Sequence, residues 1–362
     1  MVELSAVIVT SPTTFHPSTS MLEHVVDSLN HVRGAVFKVV IVFDWFKDLR
    51  ESAKAKRGVI TEEMRQGYMA YIAAVDVLYG SRPQFILKKC ESHQGFAWCV
   101  HAGLLECTTQ YAIICQHDRA FTCSVDCVSD MINICEDNRY IRYVGFPTVS
   151  NINNHHIFVT RYPKLKGFQH KNIPIDGGLL LQPLIFWYDS NHLCNIQRYL
   201  EIYKPYVNMP SDLKQLLKEV NIPVHDFLCR NGDFIEDRFG QAERNFLVTL
   251  SENDYNLDLM YDVFKWFGSY LLCDSRVDEA AELYTAARDR VVMNEGVAPV
   301  SKVMVRHFHG RNFNVSRAKE WQRINGVNAP LKGRYFVFDI DGGVEEEGEE
   351  ECDTDATSAS EV

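Results

Sequence analysis

The first 44 residues place two short apolar runs on either side of a helical segment, and this arrangement limits the folds that are open to the chain. Residues 4–10 are rich in β-branched side chains and stop before Ser11, and residues 37–43 form a similar run that stops at Asp44. Between them, apolar residues recur at helical spacing after Ser18. A strand, a helix and a second strand so close together form a β-α-β unit, which predicts a parallel sheet.

The same alternation continues through the next 80 residues or so. Helical patterns cover residues 61–79 and 96–105, and strand patterns cover residues 84–87 and 111–115. With 362 residues, of which 46% are hydrophobic, the chain can bury a sizeable core. We therefore predict a doubly wound α/β fold with a mostly parallel central sheet flanked by helices.

Beyond residue 120 the predicted elements are mixed. Strand patterns occur at residues 140–146, 157–162, 302–306 and 334–338. Helical patterns occur at residues 255–273 and 278–290, and the run from Asp189 to His192 is typical of the cap of a helix that continues to Leu200.

These patterns predict a core over residues 1–250, a helical extension with closing strands over 251–341, and a tail over 342–362. Within the core, the regular alternation over residues 1–121 is distinct from the mixed pattern over residues 122–250.

The acidic side chains are concentrated in the tail. The formal net charge is −11, but residues 345–362 hold nine acidic side chains and no basic one, which leaves −2 for the rest. Such a composition buries too little apolar surface to offset the entropy lost on ordering, so we predict a disordered acidic tail. We expect no nucleic acid among the partners.

Cysteines and hydropathy indicate the compartment. The eleven cysteines are an odd number scattered through apolar segments, and no Cys-x-x-Cys pair occurs, so we expect reduced core thiols rather than disulfides or a zinc ribbon. No signal-like segment and no apolar run of about 18 residues is present. We therefore expect no transmembrane segment and a cytoplasmic location.

A polar cluster follows the apolar run 111–115. It consists of Gln116, His117, Asp118 and Arg119. In open α/β sheets, ligands bind beyond the carboxyl ends of the strands, which places Asp118 where a divalent cation and its phosphates would sit. A strand-end carboxylate that caps the next turn is the alternative interpretation.

The order of these segments resembles that of nucleotide-sugar glycosyltransferases with the GT-A fold, and particularly that of the inverting enzymes of glycosyltransferase family 2. The strand that ends at Thr10 and Ser11, followed by a helix and a strand that ends at Asp44, is similar to the family's nucleotide-binding opening. In that family the acidic residue contacts the base. The resemblance implies that Thr10, Ser11 and Asp44 bind the nucleotide sugar. It also implies that residues 1–121 are the nucleotide-binding half and residues 122–250 the acceptor and catalytic half.

Residues 93–104 resemble a second family motif, Asn-x-Gly followed by Ala-Arg-Asn-x-Gly. Gly95 and Gly103 match its glycines, whereas Cys99-Val100-His101 replaces Ala-Arg-Asn. The resemblance adds Gly95 to the residues expected at the donor site.

Gln116-His117-Asp118 stands where the family carries Asp-x-Asp, which binds Mn²⁺ or Mg²⁺ and the donor diphosphate. Gln116 replaces the first carboxylate. The resemblance implies that His117 and Asp118 contact the donor and that Asp118 ligates the cation. A histidine from a later segment, His309 or His307, is expected to complete the metal shell, and Arg311 is expected to reach a phosphate.

Glu236-Asp237 resembles the family's Glu-Asp pair, which supplies the catalytic base from the start of a helix. The positive end of a helix dipole favours an ionised carboxylate, which can accept a proton. The resemblance implies inverting transfer of a sugar from a UDP-, GDP- or dTDP-linked donor to a glycan or other hydroxyl acceptor, with Asp237 as the base and Glu236 beside it.

Four further residues are candidates for acceptor binding: Trp187, Asp189, His192 and Asp176. An aromatic ring can stack on a sugar, and carboxylates and imidazoles can hydrogen-bond its hydroxyls. A half-buried helix cap explains the first three equally well, and a tight turn at Asp176-Gly177-Gly178 explains the fourth.

Two other functions stay open. A sugar nucleotidyltransferase would share the nucleotide-binding half, although the loop over residues 11–17 lacks the glycines and basic residues usual for that class. A catalytically silent GT-A-like domain that binds sugars or partners would explain the loss of a carboxylate at Gln116.

Overall fold

The computed structural model describes residues 1–13, 15–47, 61–148, 151, 161–274, 305–307, 336–338 and 344–346. Its strands are, in chain order, β1 (Val2–Thr10), β2 (Ala35–Phe43), β3 (Phe85–Lys89), β4 (Tyr111–Gln116), β5 (Arg119–Phe121), β6 (Tyr143–Gly145), β7 (Ile173–Ile175), β8 (Leu179–Pro183), β9 (His192–Asn195), β10 (Ser269–Asp274), β11 (Val305–His307), β12 (Phe336–Phe338) and β13 (Val344–Glu346).

The α-helices of the described residues are α1 (Ser20–Ser28), α2 (Glu62–Tyr79), α3 (Gly95–Leu105), α4 (Val128–Asp137), α5 (Ile196–Leu200), α6 (Pro205–Asn208), α7 (Ser211–Glu219), α8 (Gln241–Glu252) and α9 (Leu257–Phe267). Short 3₁₀ segments occupy Leu29–His31, Pro163–His170, Glu201–Tyr203 and Val224–Phe227, and a π-helical turn occupies Glu236–Gly240. No α-helix of the described ranges is long and apolar enough to cross a membrane.

The described residues form a nine-stranded sheet in the order β3-β2-β1-β4-β9-β6-β10-β8-β7. Strands β1 to β4 run parallel, and β1 pairs with β2 over its full length, from Val2 opposite Ala35 to Thr10 opposite Phe43. In the other half, β9 and β8 are antiparallel to their neighbours. The predicted class, a mixed but mostly parallel sheet flanked by helices, is confirmed.

Helix α3 packs closely against β1 and β2 because it presents a glycine to them. A Cβ atom at Gly103 would lie 2.4 Å from Val7 Cγ1 and 2.9 Å from Val42 Cγ2. This close approach fixes the helix over the two strands and sets its first residue, Gly95, at the edge where the strands end.

The domain boundary predicted at residue 250 stays a prediction, and the chain beyond it contributes to the central sheet. Strand β10 lies between β6 and β8. The single helix predicted over 255–273 is interrupted by Gly268, whose φ of +61° ends α9 in the left-handed conformation. The apolar run that follows is then buried as a strand.

The helix expected to start at Asp189–His192 begins later. His192–Asn195 is the buried strand β9, paired with both β4 and β6. The side chain of Asn195 caps α5 by accepting the N–H of Arg198 at 3.2 Å. Residues that can cap a helix occur both at 189–191 and at 195. The helix begins after Asn195 because residues 192–195 pair with two strands.

Several predictions concern parts of the chain near or outside the described residues. The helix predicted at 278–290 and most of the strand predicted at 157–162 lie outside them. Strand β11 pairs antiparallel with β5, with His307 opposite Arg119. Strand β13 pairs with β12, so residues 344–346 are ordered as a strand rather than as the predicted disordered tail, whose remaining residues lie outside the described ranges.

Candidate active site

The ends of β1, β2 and β4 meet at one edge of the sheet. The amide of Asp44 donates to the carbonyl of Thr10 at 2.8 Å, and the amide of His117 donates to the carbonyl of Val9 at 3.0 Å. Strand pairing therefore brings together the residues predicted to bind the donor from three separate segments.

The side chains at the end of β1 differ in accessibility. The Thr10 hydroxyl is fully buried and hydrogen-bonds the hydroxyl of Tyr71 at 3.2 Å. Ser11 is half-buried, and its carbonyl contacts Nε2 of His16 at 3.1 Å. Burial lowers the pKa of His16 to about 4, so this imidazole is neutral at physiological pH. The donor contacts predicted for Thr10 and Ser11 stay predictions; Thr10 is fully buried, whereas Ser11 is only half-buried.

Asp44 is an internal cap for α3. Its carboxylate accepts the N–H of Trp45 at 2.8 Å, of Gln94 at 2.7 Å and of Gly95 at 3.1 Å, and it contacts Nδ1 of His93 at 2.9 Å. Burial acts to raise its pKa, but the hydrogen bonds from His93 and the Gln94 amide outweigh burial and lower the pKa. With 3% of its surface exposed, Asp44 caps a helix, and its predicted contact with the base of the nucleotide stays a prediction.

Gly95 joins the sheet edge formed by the ends of β1, β2 and β4 to the segment that leads to Glu236. Its φ is +75°, and a Cβ atom there would lie 2.5 Å from Cα of Gly232. The amide of Gly232 donates to the carbonyl of Gln94 at 2.8 Å, and the amide of Ala97 donates to the carbonyl of Asp233 at 3.2 Å. Because only glycine permits this approach, the predicted glycine at residue 95 acts by backbone packing between the two halves.

A cavity of about 560 Å³ opens beside Asp44. Its volume lies within the range of about 300–1,000 Å³ that is usual for small-molecule sites. The guanidinium of Arg65 lies 4.4 Å from the centre of the Phe46 ring. The cavity is lined by Trp45, Phe46, Lys47, Arg65, Glu91, Ser92, His93 and Asn231.

Gln116, which replaces the family's first carboxylate, is held by the protein at both ends of its amide. Nε2 donates to the carbonyl of Asp189 at 2.7 Å, and Oε1 accepts from Nε of Arg119 at 3.2 Å. Asp118 lies in the turn between β4 and β5, next to these contacts. Gln116 therefore connects the strand end that bears Asp118 to a distant segment of the chain.

Asp189 and Glu236 exchange hydrogen bonds with each other's backbone. The amide of Glu236 lies 3.3 Å from both carboxylate oxygens of Asp189, and the amide of Asp189 donates to Oε2 of Glu236 at 3.2 Å. Burial and the nearby negative charge of Glu236 raise the pKa of Asp189 well above its usual value. Burial also raises the pKa of Glu236, against the opposing effects of the Asp189 amide and the Arg119 cation.

Asp237 is exposed, whereas its neighbour Glu236 is half-buried. Both begin a π-helical turn in which the amide of Gly240 donates to the carbonyl of Ile235 at 3.0 Å. Single π-turns are found frequently at functional sites. The turn continues directly into α8, so an ordered helix carries the exposed carboxylate.

The described residues do not by themselves form a metal site. No three His, Cys, Asp or Glu side chains among them converge as ligands. Hard divalent cations take six or more oxygen ligands, and Asp118 is the one carboxylate predicted to be a ligand. The backbone of His307 lies opposite Arg119, one residue from Asp118. His309 and Arg311 lie outside the described residues, so their predicted roles stay predictions.

Two of the predicted acceptor residues belong to the core. Trp187 is 1% exposed, with its ring 5.1 Å from that of Tyr143. His192 is also 1% exposed, with one ring nitrogen 2.7 Å from the carbonyl of Ser190 and the other 3.0 Å from the hydroxyl of Tyr199. Burial lowers the pKa of His192 to about 3. Neighbouring side chains and backbone enclose both residues, and their predicted acceptor contacts stay predictions.

Asp176 and Asp189 have different outcomes. Asp176 is exposed in the turn between β7 and β8, at the edge of the sheet farthest in strand order from β3. Its acceptor role stays a prediction. Asp189 is 4% exposed and belongs to the buried pair with Glu236. Sequence patterns gave no role to Gln116 or Arg119 in joining these residues, although both stand in the polar cluster at the end of β4.

No protein family profile matches the sequence, and no curated protein matches it. Solved structures resemble it in fold. The mannosyltransferase PcManGT from Pyrobaculum calidifontis, in complex with GDP-Man and Mn²⁺, is 12% identical, with a TM-score of 0.37, over 81% of this chain and 76% of that one. S. aureus TarS is 10% identical, with a TM-score of 0.34, over 68% of this chain and 34% of its own.

Residues 1–349 of S. aureus TarS, in complex with UDP-GlcNAc, are 8% identical to this chain. The TM-score is 0.35, and the match covers 81% of this chain and 76% of that one. Likeness at this level concerns the fold alone, and the function is argued below from the residues of this chain.

Proposed function

We propose that the chain is a glycosyltransferase that moves a sugar from a nucleotide-sugar donor to an acceptor hydroxyl with inversion. One observation carries the proposal. The bond from Gln116 to the carbonyl of Asp189, together with the reciprocal bonds between Asp189 and Glu236, links the strand end bearing Asp118 to Glu236, the residue before the exposed Asp237. The residues proposed for donor binding at the end of β4 and the residue next to the proposed base are therefore joined by hydrogen bonds.

The donor would lie along the sheet edge. The cavity beside Asp44 offers Trp45 and Phe46 as apolar walls for the nucleoside, with the Arg65 cation on one side. The diphosphate would then extend towards Asp118 and Arg119 at the end of β4. A bound Mn²⁺ or Mg²⁺ would stabilise the charge of the leaving diphosphate, with Asp118 as its one ligand among the described side chains.

In the proposed transfer, Asp237 is the general base. The exposed carboxylate accepts the proton of the acceptor hydroxyl while that oxygen forms a bond to the anomeric carbon. The bond between that carbon and the diphosphate breaks, and its electron pair leaves with the nucleoside diphosphate. Attack from the face opposite the leaving group inverts the configuration.

The first experiment separates the two carboxylates. We expect Asp237→Asn to lower kcat by roughly 10²- to 10⁴-fold, the usual contribution of a general base, while nucleotide binding measured by thermal shift persists. Asp118→Asn should lose both turnover and metal-dependent nucleotide binding. Turnover is measured with UDP-, GDP- and dTDP-linked sugars in the presence of Mn²⁺, which also identifies the donor.

Asp212→Asn is the matched control, because Asp212 is likewise an exposed aspartate in the first turn of a helix. It should leave kcat unchanged. Near wild-type transfer by Asp237→Asn would refute the base assignment. Absence of transfer and donor hydrolysis with every donor, together with no nucleotide-induced thermal shift, would refute the enzyme proposal.

A binding domain without turnover is the second candidate. It is favoured because residue 116 is a glutamine, so Asp118 is the one acid of the strand-end motif. The Gln116 amide bonds the Asp189 carbonyl and Arg119. Saturable nucleotide-sugar binding without transfer or hydrolysis would select this function over the first.

A further inference from the structure

Asp189 occupies the centre of contacts between two segments that are far apart in sequence. Its carbonyl accepts the amide of Gln116 at the end of β4, and its own amide and carboxylate both bond Glu236. One residue thus connects the donor-side strand with the π-helical turn that carries Asp237.

The bonds between Asp189 and Glu236 are reciprocal in the manner of a capping box. Each side chain accepts the backbone N–H of the other residue, so the backbone at residue 236 is fixed in position and direction relative to residue 189. Because Asp189 is only 4% exposed, little solvent is present to replace these bonds. The first turn of the π-helix is held at its starting residue.

This arrangement has an electrostatic cost that a purely structural cap would avoid. Two carboxylates lie together in a buried place, and the Arg119 cation compensates them only in part. An asparagine or serine at residue 189 would cap the same amide without the second charge. Carboxylates kept close under such conditions are typical of functional sites.

We propose that Asp189 is the positioning residue of the catalytic base: it holds Glu236 inward so that Asp237, the next residue, faces the acceptor from a fixed place. Asp189 itself touches neither substrate. The kinetic part of this inference rests on the proposed glycosyltransferase function, whereas its structural part does not.

The kinetic test compares alanine and asparagine at residue 189. Asp189→Ala removes the acceptor for the Glu236 amide, and we expect kcat to fall about 10²-fold with the donor KM unchanged, as for a displacement of a reacting group by about 1 Å. Asp189→Asn keeps an acceptor oxygen and should restore most of the lost kcat. A change in KM alone would contradict positioning.

Ser190→Ala is the matched control. Ser190 is the next residue, it is 2% exposed, and its hydroxyl has no hydrogen-bond partner among the described residues. Its removal should leave kcat within the error of the assay. An equal loss in Ser190→Ala and Asp189→Ala would assign the effect to general disturbance of this buried segment and overturn the proposal.

The structural test is amide hydrogen exchange in the turn 236–240. Asp189→Ala should speed exchange there and leave the amides of β1 and β2 unchanged, whereas Ser190→Ala should change neither. If Asp189→Ala does not fold, Gln116→Met replaces it, because this substitution removes the bond to the Asp189 carbonyl and should speed exchange in the same turn.

The two parts of the test separate the two proposals. Local exchange that rises in Asp189→Ala, in a protein that never transfers sugar, would support the structural part of the inference, that Asp189 holds the turn 236–240. It would refute the proposed function and, with it, the kinetic part. Transfer by the wild type, together with unchanged kcat and unchanged exchange in Asp189→Ala, would overturn the positioning role and leave the function standing.

Discussion

Asp44 and Asp189 are carboxylates of nearly equal burial at the same edge of the sheet, and their pKa values shift in opposite directions. Asp44 is 3% exposed and Asp189 is 4% exposed. The pKa of Asp44 is lowered, whereas that of Asp189 is raised. Burial alone raises the pKa of a carboxyl group, so the difference comes from the neighbours.

The neighbours differ in what they offer. Three backbone amides and the ring of His93 surround the Asp44 carboxylate. The Asp189 carboxylate receives the Glu236 amide together with the negative charge of the Glu236 side chain. The Asp44 carboxylate thus caps the start of α3. Asp189 and Glu236, by contrast, are two acids in surroundings that disfavour their ionisation.

Gly95 is where the two regions touch, so substitution there gives the largest expected effect. Gly95→Ala would place a methyl group 2.5 Å from Cα of Gly232 in a residue with φ of +75°. Backbone strain of about 1–2 kcal/mol and overpacking of about 1–3 kcal/mol should together lower the free energy of unfolding by about 2–5 kcal/mol. Urea denaturation measures this change.

Gly177→Ala separates strain from crowding. Gly177 has φ of +77°, and a Cβ atom there would meet no heavy atom within 4 Å. We expect a loss of about 1 kcal/mol from strain alone. Equal losses in the two variants would show that the contact between Gly95 and Gly232 does not hold the regions together.

The sequence was sufficient for the β-α-β opening, because strands and helices with local apolar periodicity form wherever they pair. It also placed Asp44, Gly95 and Asp118 at one sheet edge, since parallel strands end together. It was not sufficient to assign their contacts. Whether the Asp44 carboxylate faces a ligand or backbone amides depends on how α3 begins, which local patterns do not encode.

The burial of residues 187–192 could not be predicted, for a different reason. Trp187 and His192 have polar atoms that suit a binding site, but long-range packing against Tyr143 and Tyr199 encloses them. The role of Asp189 depends on Gln116 and Glu236, which lie 73 and 47 residues away in the chain. Contacts at such separations follow from the sheet order and not from periodicity.

Asp44→Asn tests how much the Asp44 carboxylate stabilises the fold by capping α3. The amide group of asparagine would face a backbone N–H with an N–H of its own and would lose the charged acceptor, so the free energy of unfolding should fall by about 2 kcal/mol at neutral pH. Chemical denaturation of Asp44→Asn, with Asp212→Asn as the control for the loss of one charge, measures this effect.

The pH dependence of that loss has a definite sign. The folded-state pKa of Asp44 is below the usual value of 3.8, so its contribution is fully present above pH 3.8 and disappears as the pH falls through the lower folded value. The difference between wild type and Asp44→Asn should therefore be constant from about pH 5 to 8 and shrink below pH 4. A constant difference down to pH 2 would contradict an ionised cap.

Glu236→Gln applies the same chemical change, carboxylate to amide, to the pair of Asp189 and Glu236. It should change the free energy of unfolding in the opposite direction. Glutamine keeps an oxygen for the Asp189 amide and removes one of two charges that burial and repulsion disfavour. We expect a gain in the free energy of unfolding on the order of 1 kcal/mol at pH 7, the usual size of such a stabilising substitution at a functional site. Chemical denaturation at two pH values measures it.

The raised pKa of Glu236 dictates where this gain appears. The folded state holds the proton more tightly than the unfolded state, so the stability of the wild type is fully present below pH 4.5 and is lost as the pH rises through the folded value. The advantage of Glu236→Gln should consequently vanish below pH 4.5, while the exposed control Glu252→Gln should show no such dependence. Destabilisation by Glu236→Gln at pH 7 would mean that the ionised pair and Arg119 are net stabilising. The surroundings of Asp44 and Glu236 would then not differ as the pKa shifts of the two residues indicate.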